Sequence, residues 1–168
     1  MIMKGAKKIL FLDRDGVINN GNAYYTYTIA DFHINKDVIE GLQLVQQHGF
    51  ECIVITNQSG VAKGVYTLHD VERVHQHMIS LFAQHGITIL AIYVCPHHPD
   101  IEDCECRKPK SGLFKQALAE YDIDISKSYM IGDSERDIIA AKRVGIQGIK
   151  INKNESILPY CKHIIIHE

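Results

Sequence analysis

The chain has 168 residues, of which 46% are hydrophobic and 23% are charged, and its formal net charge is −2. This size and balance are typical of one soluble domain with its own hydrophobic core, so we expect a single domain over residues 1–168. The small net charge gives no basic field for nucleic acid or for an anionic membrane, and neither partner is expected. The longest apolar run, residues 89–95, is far shorter than the ~20 residues of a membrane span. The apolar run before Asp13 is too short for a secretory signal, so we expect a cytoplasmic protein.

Short apolar runs alternate with helical patterns along the chain. The apolar runs predict strands at residues 8–12, 51–56, 89–95, 128–132 and 148–151, with 163–166 as a candidate last edge strand. Apolar residues at helical spacing predict helices at residues 37–47, 68–84, 113–121 and 135–144. Thr67 and Asp70 form a capping pair at the start of the second helix. The alternation predicts an α/β fold with a mostly parallel sheet that helices cover on both faces.

Polar clusters follow the first four predicted strands, at residues 13–16, 56–60, 95–99 and 132–137. The carboxyl ends of parallel strands meet at one edge of a sheet, where active sites in such folds lie. The sequence therefore predicts that these clusters converge on one site.

The first cluster contains two aspartates, Asp13 and Asp15, followed by Gly16. Side chains two residues apart on an extended segment point the same way, and a glycine allows the chain to turn sharply afterwards. The pattern is compatible with a simple turn at the end of a strand. It is also compatible with a nucleophilic carboxylate that attacks phosphorus, beside a second acid that protonates the leaving oxygen. A divalent cation would offset the repulsion between the two acids.

The other clusters offer phosphate and metal ligands, each with a structural alternative. Asp133 can supply a third carboxylate for Mg²⁺, or it can cap a helix together with Ser134. The segment 56–60, "TNQSG", offers a hydroxyl, an amide and backbone N–H groups to phosphate oxygens, or forms a polar turn. Arg107 and Lys108 can neutralise a phosphoryl group, or lie on a solvated face.

Three cysteines and a histidine lie within twelve residues: Cys95, His97, Cys104 and Cys106. In a reducing cytosol such a cluster indicates a metal rather than disulfides. Three thiolates and one imidazole match a closed structural zinc site, although reduced cysteines without metal are the alternative. A zinc ion with no open coordination position would hold the loop and position Arg107 and Lys108 over the cleft.

Taken in order, "FLDRDGVIN", "TNQSG", the lysine of "CRKP" and "GDSERD" resemble the four motifs of the haloacid dehalogenase-like phosphatases, over nearly the whole chain. The resemblance implies a Rossmann-like three-layer fold, here without room for a large cap domain, and Mg²⁺-dependent phosphoryl transfer. It implies that Asp13 is the nucleophile and Asp15 the general acid/base. Thr56 would hold the phosphate and Lys108 would offset its charge. Mg²⁺ would be bound by Asp13, Asp133 and the backbone of Asp15.

The zinc loop resembles that of two branches of the family, the D-glycero-D-manno-heptose 1,7-bisphosphate 7-phosphatases and the histidinol-phosphate phosphatases. "NQSG", "CPHHP" and Tyr24 match the heptose branch, whereas the length of the zinc loop is nearer the histidinol-phosphate branch. Ser134 stands where heptose enzymes tend to carry lysine. The heptose branch implies a phosphorylated sugar substrate and a role in nucleotide-activated heptose biosynthesis. The expected substrate contacts are Tyr24, Asn57, Gln58, Ser59, Arg107, Lys108 and Ser134.

A non-catalytic binding module that keeps only the zinc-held fold is the alternative from a different class. A module of this kind would be expected to lose the nucleophile or the metal-binding acid. Asp13, Asp15, Lys108 and Asp133 are all present, which favours the enzyme. We expect the enzyme to be a monomer.

Overall fold

The computed structural model describes residues 5–167. Its strands are β1 (Lys8–Leu12), β2 (Phe50–Asn57), β3 (Ile89–Cys95), β4 (Tyr129–Gly132) and β5 (Gln147–Lys150). Its α-helices are α1 (Val38–Gln47), α2 (Leu68–Ala83), α3 (Gly112–Glu120), α4 (Glu135–Lys142) and α5 (Leu158–Ile166), and a 3₁₀ turn spans Ile125–Lys127. The domain predicted over residues 1–168 includes residues 1–4 and 168, which lie outside the described residues.

The five strands form one parallel sheet in the order β3-β2-β1-β4-β5, as the alternating pattern predicts. β1 lies at the centre, and its residues are buried on both faces of the sheet. Leu10 and Leu12 pack with α1, α2 and α5 on one face, whereas Ile9 and Phe11 pack with α3 and α4 on the other. This two-sided burial explains why the strand is continuously apolar. The three-layer fold is confirmed, and the described residues contain no large cap domain.

The predicted edge strand at residues 163–166 is wrong, because these residues belong to α5. Pro159 lies in the first turn of this helix, where its missing N–H costs no hydrogen bond. Cys161 and Ile164, three residues apart, are both buried in the core cluster that contains α1. A run of only four residues cannot distinguish a strand from a buried helix by periodicity.

The N-terminus of α2 confirms the predicted capping pair. The Thr67 hydroxyl accepts a hydrogen bond from the Asp70 N–H, and the Asp70 carboxylate accepts one from the Thr67 N–H. Between residues 5 and 167, the chain forms no helix that is both long and apolar enough to cross a lipid bilayer.

Candidate active site

The ammonium group of Lys108 lies between two acids, Asp13 and Asp137, at the carboxyl edge of the sheet. Its Nζ donates to Asp13 Oδ1 at 3.0 Å and to the Ile55 carbonyl at 2.7 Å, and it is 2.6 Å from Asp137 Oδ1. Only 2% of the side chain of Lys108 and of Asp137 is exposed. Burial lowers the pKa of Lys108, but Asp13 and Asp137 outweigh this effect and raise it above its ordinary value. Lys108 is therefore a fixed positive charge beside the predicted nucleophile.

Asp13, Asp133 and Asp137 form a group of acids that fits a divalent cation. One carboxylate oxygen of each lies within 4.8 Å of the others. Burial and then Asp137 raise the pKa of Asp13 to about 8, against the opposing effect of Lys108. Burial and Asp137 also raise the pKa of Asp133. Three acids so close together favour additional positive charge, and hard carboxylate oxygens are the ligands that Mg²⁺ prefers.

Gly16 allows the loop after β1 to approach Asp133. Its φ angle is 83°, in the left-handed region that favours glycine, and a Cβ atom there would collide with the Asp133 carboxyl group. The glycine in the first motif is thus required for the contact between the first and last motifs.

The Asp15 carboxylate is held by three neighbouring side chains. Its Oδ1 accepts from Arg14 Nε at 3.0 Å, from Arg14 Nη2 at 2.9 Å and from Asn19 Nδ2 at 2.9 Å. Its Oδ2 accepts from Gln58 Nε2 at 3.2 Å. Arg14 is completely buried and is also hydrogen-bonded to the Thr26 carbonyl and to His75 Nε2. Asp15 therefore projects from a rigid polar base into the cleft.

The polar segment after β2 fixes the position of Lys108. The Asn57 side chain donates to the Lys108 carbonyl at 3.2 Å and accepts from the Lys108 N–H at 3.1 Å. Thr56 is buried, and its hydroxyl accepts from Gln58 Nε2 at 2.9 Å. Asn57 thus fixes the backbone of Lys108 through both the oxygen and the nitrogen of its side-chain amide.

The predicted zinc ligands come together at the end of β3. Cys95 Sγ lies 3.0 Å from Cys106 Sγ and 3.7 Å from Cys104 Sγ, and His97 Nδ1 lies 3.2 Å from Cys106 Sγ and 3.6 Å from Cys95 Sγ. Tetrahedral zinc–thiolate bonds would place sulfur atoms about 3.7 Å apart. Burial raises the pKa of Cys104, but the N–H groups of Arg107 and Cys106 outweigh it and lower that pKa to about 7. The donor set and its spacing fit one zinc ion.

A cavity of about 420 Å³ opens above the acids. Ten of the predicted site residues line it: Asp13, Asp15, Tyr24, Asn57, Gln58, Ser59, Arg107, Lys108, Asp133 and Ser134. Thr56 does not line it, and Ser134 also caps α4 by accepting from the Arg136 N–H. Tyr24 stands at the mouth with 87% of its surface exposed.

Sequence reasoning missed several residues of the cavity wall, among them Tyr66, Arg136 and Lys153. The spacing of Ser134 and Asp137 in the sequence is typical of a capping box, and in the structure the two residues form one that fixes the start of α4. Tyr66 and Lys153 belong to no motif, and only the tertiary fold brings them to the cavity.

Comparisons with known proteins agree with this arrangement. The HAD-hydrolase-like family model matches residues 105–156. The D-glycero-alpha-D-manno-heptose-1,7-bisphosphate 7-phosphatase of Photorhabdus laumondii is 41% identical over 83% of this chain and 79% of its own. The corresponding beta-anomer phosphatase of Helicobacter pylori strain 26695 is 44% identical over 79% of this chain and 76% of its own.

A solved structure extends the similarity to the fold. The D,D-heptose 1,7-bisphosphate phosphatase of B. bronchiseptica, complexed with magnesium and phosphate, has a TM-score of 0.89 and 26% identity, and the match covers 96% of this chain and 99% of that one. The parallel sheet and its acid–lysine cluster define a hydrolase of the haloacid dehalogenase-like class. Within that class, the chain belongs to the D-glycero-D-manno-heptose-1,7-bisphosphate 7-phosphatase family.

Proposed function

We propose that this protein removes the 7-phosphate of D-glycero-D-manno-heptose 1,7-bisphosphate through an aspartyl-phosphate intermediate. The observation that carries the proposal is the buried Lys108 ammonium, held 3.0 Å from Asp13 at the base of an open polar cavity. The names of the relatives support the sugar bisphosphate as substrate.

In the first step, an Asp13 carboxylate oxygen attacks the phosphorus atom and the bond from phosphorus to the sugar oxygen breaks. Asp15 donates its proton to the leaving alkoxide, which departs as the alcohol. Lys108 offsets the negative charge on the phosphoryl group. Arg14 and Asn19 hold Asp15 in place through Oδ1, so its other oxygen faces the reaction.

In the second step, a water molecule attacks the phosphorus of the aspartyl-phosphate. Asp15, now ionised, takes a proton from the water as general base, and the bond from phosphorus to Asp13 breaks. Inorganic phosphate leaves and the Asp13 carboxylate is restored. The same acid thus serves both steps without a second proton carrier.

Mg²⁺ would be held by Asp13, Asp133 and the backbone of Asp15, with Asp137 beside them. When bound, it would supply positive charge to the phosphate oxygens. The magnesium in the B. bronchiseptica structure supports this assignment.

We further propose that Cys95, His97, Cys104 and Cys106 bind one structural zinc ion. The protein purified without chelator should contain about one zinc per chain by elemental analysis. Cys104→Ser should lose the zinc and lower both the melting temperature and the activity, because metal-binding energy is also folding energy. His98→Asn, in the same loop, is the matched control and should keep its zinc. Full activity and unchanged melting in metal-free Cys104→Ser would contradict the proposal.

The substrate is tested by a phosphate-release assay with two compounds side by side. We expect a higher kcat/KM for heptose 1,7-bisphosphate than for histidinol phosphate, with the 7-phosphate removed. Arg107 and Lys108 line the cavity and can approach one phosphate, while the loop after Asp15 offers polar partners for sugar hydroxyls. About 1.4 kcal/mol of differential transition-state binding gives a tenfold preference. A preference for histidinol phosphate would overturn the substrate assignment and leave the phosphatase chemistry standing.

We also propose that the enzyme acts as a monomer in the cytoplasm, in nucleotide-activated heptose biosynthesis. One chain supplies all the groups used in the two steps above, and none of its five cysteines forms a disulfide. Both observations support the proposal.

A further inference from the structure

A chain of hydrogen bonds runs from an aromatic cluster beside the cavity to the proposed general acid. The Tyr66 hydroxyl donates to Gln58 Oε1 at 2.7 Å. Gln58 Nε2 then donates to Thr56 Oγ1 at 2.9 Å and to Asp15 Oδ2 at 3.2 Å. Tyr66, Gln58 and Thr56 are all at most 5% exposed. Every polar atom of the Gln58 side chain therefore has a protein partner, which leaves little of it for a direct substrate contact.

The orientation of the Gln58 amide follows from its neighbours. The Gln58 amide nitrogen faces Asp15 Oδ2 and donates to it, so a proton on Oδ2 cannot be shared with Gln58 and stays available for the leaving group. The opposite orientation would bring Oε1 against Asp15 Oδ2, where it would accept the proton that Asp15 has to transfer. Burial raises the pKa of Tyr66 to about 12, so its hydroxyl stays protonated and can donate to Oε1. Tyr66 thus holds the amide in the orientation that Asp15 requires.

The Tyr66 ring is itself fixed by packing. It stacks on Tyr27 with ring centroids 4.9 Å apart and an angle of 10° between the planes. Tyr25 meets it edge-on at 5.5 Å, and a Cβ atom at Gly60 would collide with the ring. The hydroxyl therefore reaches Gln58 from a rigid support.

The two oxygens of Asp15 differ in how many hydrogen bonds they accept. Oδ1 already accepts from three N–H groups of Arg14 and Asn19, more than its two lone pairs would ordinarily serve. Among residues 5–167, Oδ2 accepts only from Gln58, which leaves one lone pair free for the proton. The proton that Asp15 transfers is thus carried by Oδ2, the oxygen that Gln58 holds.

We propose that Gln58 and Tyr66 are positioning residues that fix the proton-carrying oxygen of Asp15 for transfer to the leaving group. This inference rests on the proposed phosphatase function and adds a role that no motif reveals. Tyr66 acts through Gln58, and Gln58 acts through Asp15, so neither residue needs to touch the reacting phosphate.

The experiment compares two substrates that differ in their need for a proton. The sugar leaves as an alkoxide and needs the proton from Asp15, whereas p-nitrophenyl phosphate releases a stable anion without it. Tyr66→Phe removes only the hydroxyl and keeps the stacked ring. We expect its kcat/KM for heptose 1,7-bisphosphate to fall about tenfold, which is part of the ~10²–10⁴-fold effect of general acid catalysis. For p-nitrophenyl phosphate we expect kcat/KM to fall less than about twofold. Gln58→Met should show a larger loss with the same difference between substrates.

Tyr27→Phe is the matched control, because it removes a hydroxyl from the same ring stack without touching Gln58. It should behave as the wild type with both substrates, and melting temperatures should verify that all variants fold. A Tyr66→Phe variant indistinguishable from Tyr27→Phe, or an equal loss on both substrates, would overturn the positioning role. Failure of the wild type to release phosphate from either compound would instead overturn the proposed function.

Discussion

An Asp13→Asn variant should release phosphate at least about 10⁴-fold more slowly than the wild type, the scale on which the loss of a catalytic nucleophile acts. An amide does not attack phosphorus as a carboxylate does, and no aspartyl-phosphate can form at that position. The fold should persist, because asparagine has nearly the same volume and its oxygen can still accept from the Arg14 N–H and from Lys108. Phosphate release and the melting temperature measure the two expectations.

Asp122→Asn is the control for this change, because Asp122 is an exposed aspartate that does not line the cavity. It should leave activity and melting unchanged. Acid-quenched wild-type protein should carry a phosphate on Asp13 that mass spectrometry detects, and Asp13→Asn should not. Turnover near the wild-type rate in Asp13→Asn would refute the covalent mechanism.

The elements that could be predicted from the sequence are those whose pattern is complete within a short segment. β1 is continuously apolar because both of its faces are buried, and Asp13 and Asp15 follow it directly. The four proposed zinc ligands lie within twelve residues, so their spacing in the sequence already indicates that they meet in space.

The features that sequence reasoning missed depend on contacts between distant segments. The helical state of residues 163–166 is set by packing of Cys161 and Ile164 in the core beside α1, which a four-residue run does not encode. Asp137 lies in the predicted polar cluster 132–137, but its contact with Lys108 through Oδ1 arises only in the folded chain, where Oδ2 accepts from the Ser134 N–H. In the sequence, Tyr66 resembles any other aromatic residue, and its hydrogen bond to Gln58 is found only in the folded structure.

Lys108 connects these local motifs into one site. After Asp13, it is therefore the most informative residue to substitute. Its backbone is held by Asn57 from the end of β2, and its ammonium group contacts Asp13 after β1 and Asp137 in α4. Segments at the carboxyl ends of β1 and β2, and the helix that follows β4, therefore meet at Lys108. The arrangement of Asp13 and Asp137 thus depends on the same side chain.

Lys108→Met keeps the length of the apolar stem and removes the charge. We expect kcat to fall by about 10²–10³-fold, the loss seen when one donor to a developing negative charge is removed. We also expect the free energy of unfolding to fall by about 3–5 kcal/mol in magnesium-free buffer, because buried acids lose their ionic partner. Kinetics and chemical denaturation measure the two effects, and Lys115→Met, an exposed lysine of α3, should change neither.

A double variant separates the catalytic effect of Lys108 from its structural effect. Adding Asp137→Asn to Lys108→Met removes one of the uncompensated acids, so part of the lost stability should return. Activity should remain low, because the amide restores no positive charge beside the phosphoryl group. If the double variant regained activity together with stability, Lys108 would serve only to hold Asp137, and its proposed role toward the phosphate would be wrong.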